Sequence, residues 1–134
     1  MSVVKSKRNK SPVQYLDTAR ELAEFTLIQC KKIQKRYTFY LAIPMFKLAQ
    51  DVYTDVCKAN AIFPNNEEKI AYRRKWLTEA IGCLNALISQ IEMMKKVTCS
   101  SIEDKNYVKW SELIKEEIKL CTNVISSDEA RLPS

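Results

Sequence analysis

The chain has one glycine and no histidine in 134 residues. Glycine supplies the left-handed backbone that tight turns, bulges and phosphate-cradling loops require. With Gly82 alone, and that inside a helical pattern, few such loops can exist. Histidine is the usual proton carrier near neutral pH and the commonest metal ligand, so its absence removes the common triads and most zinc sites. No apolar run approaches the ~20 residues of a membrane span. The basic start, MSVVKSKRNKSP, has no apolar stretch behind it and does not read as a secretory signal. These absences lead to the expectation of a helical, non-enzymatic domain with no cofactor, no metal and no membrane contact.

What is present fits one domain. Hydrophobic residues make up 46% of the chain, enough for a packed core, and charged residues 28%. The five cysteines (Cys30, Cys57, Cys83, Cys99 and Cys121) are scattered and never in a CxxC arrangement. They read as free thiols in a reducing, cytoplasmic setting. Of the net charge of +6, Lys5, Lys7, Arg8 and Lys10 contribute +4, which leaves 18 basic and 16 acidic residues in the rest. Attraction to nucleic acid would therefore come from that arm and from local clusters.

Residues 1–11 are polar, basic and without period, and are expected to form a disordered arm. Ser11 and Pro12 suit an N-cap and first turn. Leu16, Ala19, Leu22, Ala23, Thr26, Cys30 and Ile33 then mark one face of a first helix over 12–34. Lys31, Lys32, Lys35 and Arg36 gather at its end, where cations favour the helix dipole. A second helix, 38–62, carries Met45, Leu48, Ala49, Val52, Val56 and Ala59, with Pro44 marking a kink or the true helical start. Phe63 is expected to pack over the bundle end. A third helix, from about Asn66 to Val97, places Tyr72, Trp76, Ala80, Leu84, Leu87, Ile91 and Met94 on its face. Ser101 and Asp104 resemble a capping box ahead of a fourth helix, 102–126, which carries Val108, Trp110, Leu113, Ile114, Ile118, Cys121 and Ile125. Residues 127–134 read as a frayed tail. Four such helices with short connections predict an all-α, antiparallel up-down-up-down four-helix bundle over 12–126.

Chemistry is sparse. Glu67/Glu68 and Glu116/Glu117 are adjacent pairs, so their members point to different helix faces. A bundle di-iron site would need Glu-x-x-His. Arg73-Arg74-Lys75, followed by Trp76, is the densest basic stretch of the body. Two readings stand side by side: phosphate contact through the planar arginine fork, or a solvated face with Lys75 paired to Glu79. Tyr37, Phe39, Tyr40 and Tyr53, interleaved with Lys35 and Arg36, either stack bases or seal a bundle end or subunit contact. Phe25, Phe46 and Tyr53 at the stripe margins point to a second apolar face and an oligomer.

From Arg36 to Trp76 an Arg-Tyr entry, a Lys-Ala-Asn exit, a polar turn and an Arg-Arg-aromatic sequence follow one another, and Trp110 and Ser127-Asp128-x-x-Arg131 come later. In these elements the chain resembles the Avd-like four-helix-bundle family, the accessory variability proteins of diversity-generating retroelements. Wider relatives of that family are encoded in bacterial 23S rRNA intervening sequences. The resemblance implies a ring-like homopentamer that binds reverse transcriptase and template RNA or DNA, supports mutagenic cDNA synthesis and performs no catalysis. Carried over by position, it implies contact roles for Arg73, Arg74, Arg36 and Lys58, beside Lys75 of the same basic stretch. The alternative is a structural or regulatory bundle of a phage or mobile element that binds only protein partners.

Overall fold

A computed structural model describes residues 13–98 and 102–132. Among them are four α-helices and no strand: α1 (Gln14–Cys30), α2 (Ile43–Asn60), α3 (Glu67–Val97) and α4 (Asp104–Glu129). The protein is an all-α four-helix bundle. Both α1 and α3 pack chiefly against α2 and α4. The expected arm, and the Ser11 and Ser101 caps, lie outside the described residues.

The apolar stripes become the core. Leu22 of α1, Met45, Val52 and Val56 of α2, Leu77, Leu84, Leu87 and Met94 of α3, and Trp110 and Ile114 of α4 are fully buried. The Trp110 indole N–H donates to Thr26 Oγ1 at 2.9 Å, which satisfies the one polar atom of the largest core side chain. Thr26→Val keeps the shape but removes that acceptor. It is expected to cost about 1–3 kcal/mol, read as a lowered urea midpoint with an unchanged slope.

Helix ends depart from the periodic reading where local backbone chemistry intervenes. α1 stops at Cys30; Lys32 and Ile33 donate three residues back, to Gln29 and Cys30, and tighten the chain into a turn. A short 3-10 turn (Lys35–Tyr37) and a π turn (Thr38–Ala42) precede α2. Pro44, in the first turn of α2, has no N–H to continue the preceding ladder, so α2 proper starts at Ile43. α3 begins as expected, with the Asn66 side chain accepting from Lys69 N–H at 2.9 Å. α4 runs three residues past 126, because Asp128 and Glu129 are engaged by α3 rather than frayed.

The stripe of α3 is out of phase in its first turns: Ile70, Arg73 and Leu77 face inward, and Tyr72 is exposed. Phe63 does not cover the bundle end; it is 69% exposed, and Pro64 is buried in its place.

Candidate nucleic-acid interface

The sequence-expected site residues separate into two groups at opposite ends of α2. Arg73 belongs to the end where α1 and α3 begin and α2 and α4 finish. Its side chain is buried, with Nε 2.7 Å from Asp128 Oδ2 and Nη2 3.3 Å from Asp128 Oδ1. Nη1 donates to the carbonyls of Ala59 at 3.2 Å and Ile62 at 2.9 Å, capping the end of α2. Tyr15 stands beside it and donates to Asn60 Oδ1 at 3.1 Å. Burial raises the Tyr15 hydroxyl above its ordinary pKa, against the opposing pull of Arg73. The planar fork is thus taken up by a carboxylate and two carbonyls, and Arg73 leaves the set of phosphate contacts expected from the sequence. It is a cross-brace between α2, α3 and α4.

Arg74 reaches Glu129 at 3.2 Å from a half-exposed position. Lys75 does not pair with Glu79 in any ion pair among the described residues; its ammonium lies 5.1 Å from the centre of the Trp76 ring. The Lys58 ammonium lies 4.3 Å from the same ring. Lys58 and Lys75 therefore share one aromatic ring, with Asp55 among the neighbours of Lys58. Asp51, Asp55 and Glu79 line a cleft of 320 Å³ between α2 and α3. Burial first, then Glu79, pushes the Asp55 carboxyl up to about 6, with Lys58 opposing. This end mixes both signs of charge.

At the other end, the connection from α1 to α2 is basic. Between Glu24 and Asp51 the chain has no carboxylate, and it carries Lys31, Lys32, Lys35, Arg36 and Lys47. Lys31, Lys32, Lys35 and Arg36 are exposed on the turns that lead from α1 to α2. The Arg36 guanidinium lies 5.3 Å from the Tyr37 ring centre, while Lys47 is tied to Asp51 at 3.1 Å. The π turn buries Leu41 and Ala42 and leaves the preceding Phe39 and Tyr40 standing in solvent, 79% and 78% exposed. These two rings do not seal the bundle; Tyr37 and Tyr53 pack against the core instead. Beside them runs an apolar groove of 410 Å³ walled by Leu27, Ile33, Ile43 and Phe46, with Lys31 and Lys35 on its rim. On α3 and α4, Lys95 sits 4.6 Å from the Tyr107 ring centre and Lys109 5.0 Å from that of Phe25, while Glu103, just before α4, pairs with Lys105 at 3.5 Å.

Of the expected residues, only Arg36 lies in this corner. Its partners Lys31 and Lys35 carry an ordinary helix-dipole explanation in sequence. The missing carboxylates over 25–50 were the signal that sets this cluster apart.

Among the described residues no group of three or more His, Cys, Asp or Glu side chains is arranged to hold a metal ion, and no helix is long and apolar enough to cross a membrane. Cys30 and Cys121 are buried, and burial pushes the Cys30 thiol up to about 12 and raises that of Cys121 as well. Such thiols are poor nucleophiles. No protein-family model, curated protein or solved structure matches the chain.

Proposed function

We propose that this chain is a non-enzymatic accessory protein of a diversity-generating retroelement: a cytoplasmic homo-oligomer, a homopentamer by the resemblance, that binds reverse transcriptase and template RNA or DNA. The observation that carries the nucleic-acid part is the stretch 25–50, which has no carboxylate in sequence and exposes Lys31, Lys35 and Arg36 close in the chain to the exposed Phe39 and Tyr40 rings. Cations without interspersed carboxylates replace condensed counterions on a phosphate chain, and their release drives association.

The expected result is salt-sensitive binding of labelled RNA, followed by fluorescence anisotropy. Joint charge reversal, Lys35→Glu with Arg36→Glu, removes two contacts. It should flatten the log–log salt slope on single strands by about 1.4, at about 0.7 per contact. Helical circular dichroism should be unchanged, because both side chains are exposed. A reverse-transcriptase gene beside this one is the expected genomic neighbour; co-elution with its product tests the protein partner, and light scattering tests the oligomer.

A second reading, a bundle that binds only proteins, is favoured by the groove of 600 Å³ that exposed Phe63 and Tyr72 help to line at the opposite end. Absence of RNA and DNA binding at low salt would leave that reading in place.

A further inference from the structure

We infer that the Lys31–Tyr40 corner selects single strands: successive unpaired bases stack on the Phe39 and Tyr40 rings while Lys31, Lys35 and Arg36 neutralise the adjoining phosphates. The inference rests on the nucleic-acid reading above and narrows it to strands whose base faces are free.

Scattered exposed apolar residues are ordinary on a protein surface. Phe39 and Tyr40 are not scattered. They are sequence neighbours, the two most exposed large hydrophobic side chains among the described residues, and Phe39 sits three residues past the Lys35-Arg36 pair. Their backbone is held from below: Leu41 and Ala42, next in the chain, are buried in the core, and the π turn fixes the segment as it enters α2. The rings therefore project from an anchored backbone, so the segment itself need not order on binding. In a duplex the base faces are stacked on one another, and only phosphate contacts are open to this corner. A strand with unpaired bases uses both rings and cations, as sequence-tolerant single-strand sites do. A protein partner fits less well. Lysine is depleted at the cores of protein interfaces, whereas Lys31, Lys32 and Lys35 crowd this corner.

The test uses the full chain and compares anisotropy on labelled oligo-uridine and oligo-thymidine with that on a blunt duplex of equal length. Alanine at both Phe39 and Tyr40 should weaken single-strand binding by about 30-fold or more, the loss of two stacked bases at about 1 kcal/mol or more each. Duplex binding should change by less than about 2-fold, since phosphate contacts set it. Joint reversal of Lys35 and Arg36 should weaken both. As a direct signature, Phe39→Trp should retain single-strand affinity, and its indole fluorescence should be quenched by oligo-thymidine and not by the duplex. Equal losses on both substrates, or full single-strand affinity in the double alanine variant, would overturn the stacking inference while nucleic-acid binding stands. No binding to any substrate at low salt would instead overturn the reading beneath it. Should these rings prove necessary for a protein complex and indifferent to oligonucleotides, the corner is a protein surface and the inference fails.

Discussion

Arg73→Ala is expected to destabilise the bundle by about 3–5 kcal/mol, the cost of leaving a buried charge without its partner. The charge left behind is Asp128, which is 3% exposed and receives two donors from the guanidinium. The carbonyls of Ala59 and Ile62 lose their donor as well, so the end of α2 is uncapped in the same step. Lysine does not rescue the site, because one ammonium cannot meet a carboxylate side-on and two carbonyls at once. A double-mutant cycle with Asp128→Ala separates the pair from its surroundings. Removing both partners should cost clearly less than the two single changes added together, since neither charge is then stranded. Urea unfolding followed by circular dichroism provides all four free energies. A single-variant loss below about 1 kcal/mol would mean that water reaches this pair and that it behaves as a surface one. Arg74→Ala supplies that comparison: its bond to Glu129 is half-exposed and should contribute no more than about 1 kcal/mol.

The same residue shows how far periodicity carries. Most of the stripe read from the sequence is the stripe that is buried, from Ala19 and Leu22 to Leu84 and Leu87, although Val108, read onto the face of α4, is exposed and its neighbour Tyr107 is buried instead. At the start of α3 an arginine occupies the inward position. A reading that assigns charge to solvent moves the stripe onto Tyr72 and Trp76, off the buried Ile70, Arg73 and Leu77. The compensating aspartate lies 55 residues away, in a segment whose composition resembles a frayed tail. Long-range ion pairs leave no local period. Pro44 did signal trouble before α2, but a proline shows where a ladder breaks without giving the π turn that absorbs the break. The interface follows the same rule. Arg36 was legible as a basic residue near aromatics, whereas the exposure of Phe39 and Tyr40 depends on which neighbours the π turn buries.

Glu117→Gln is expected to flatten the dependence of stability on pH. The Glu117 carboxyl is fully buried in the core, with the Cys121 thiol donating to Oε2 at 3.6 Å and no hydrogen-bond partner for Oε1 among the described residues. Burial, with a smaller push from Glu116, raises its pKa from an ordinary 4.5 to about 9, and the Cys121 hydrogen bond opposes the rise. Between those values the folded chain holds a proton that the unfolded chain has released. Raising the pH therefore favours unfolding by about 1.4 kcal/mol per unit for this one group. Stability is highest below the unfolded value and falls through the neutral range. It levels off above the folded value, where both states are ionised. From pH 5 to pH 7 the wild type should lose about 3 kcal/mol on this account, a large share of a domain's usual 5–15. Glutamine has nothing to titrate, so its curve should diverge upward from the wild type across that interval, whatever fixed offset its amide introduces. Asp55, held near 6 by burial and Glu79, adds a shallower fall of the same sign, present in both proteins and cancelled in their difference. No histidine titrates in this window to obscure the comparison. Urea midpoints that run parallel for the two proteins from pH 5 to pH 9 would mean that Glu117 is ionised and solvated in the fold. The core around Trp110, Ile114 and Cys121 would then have to open to water.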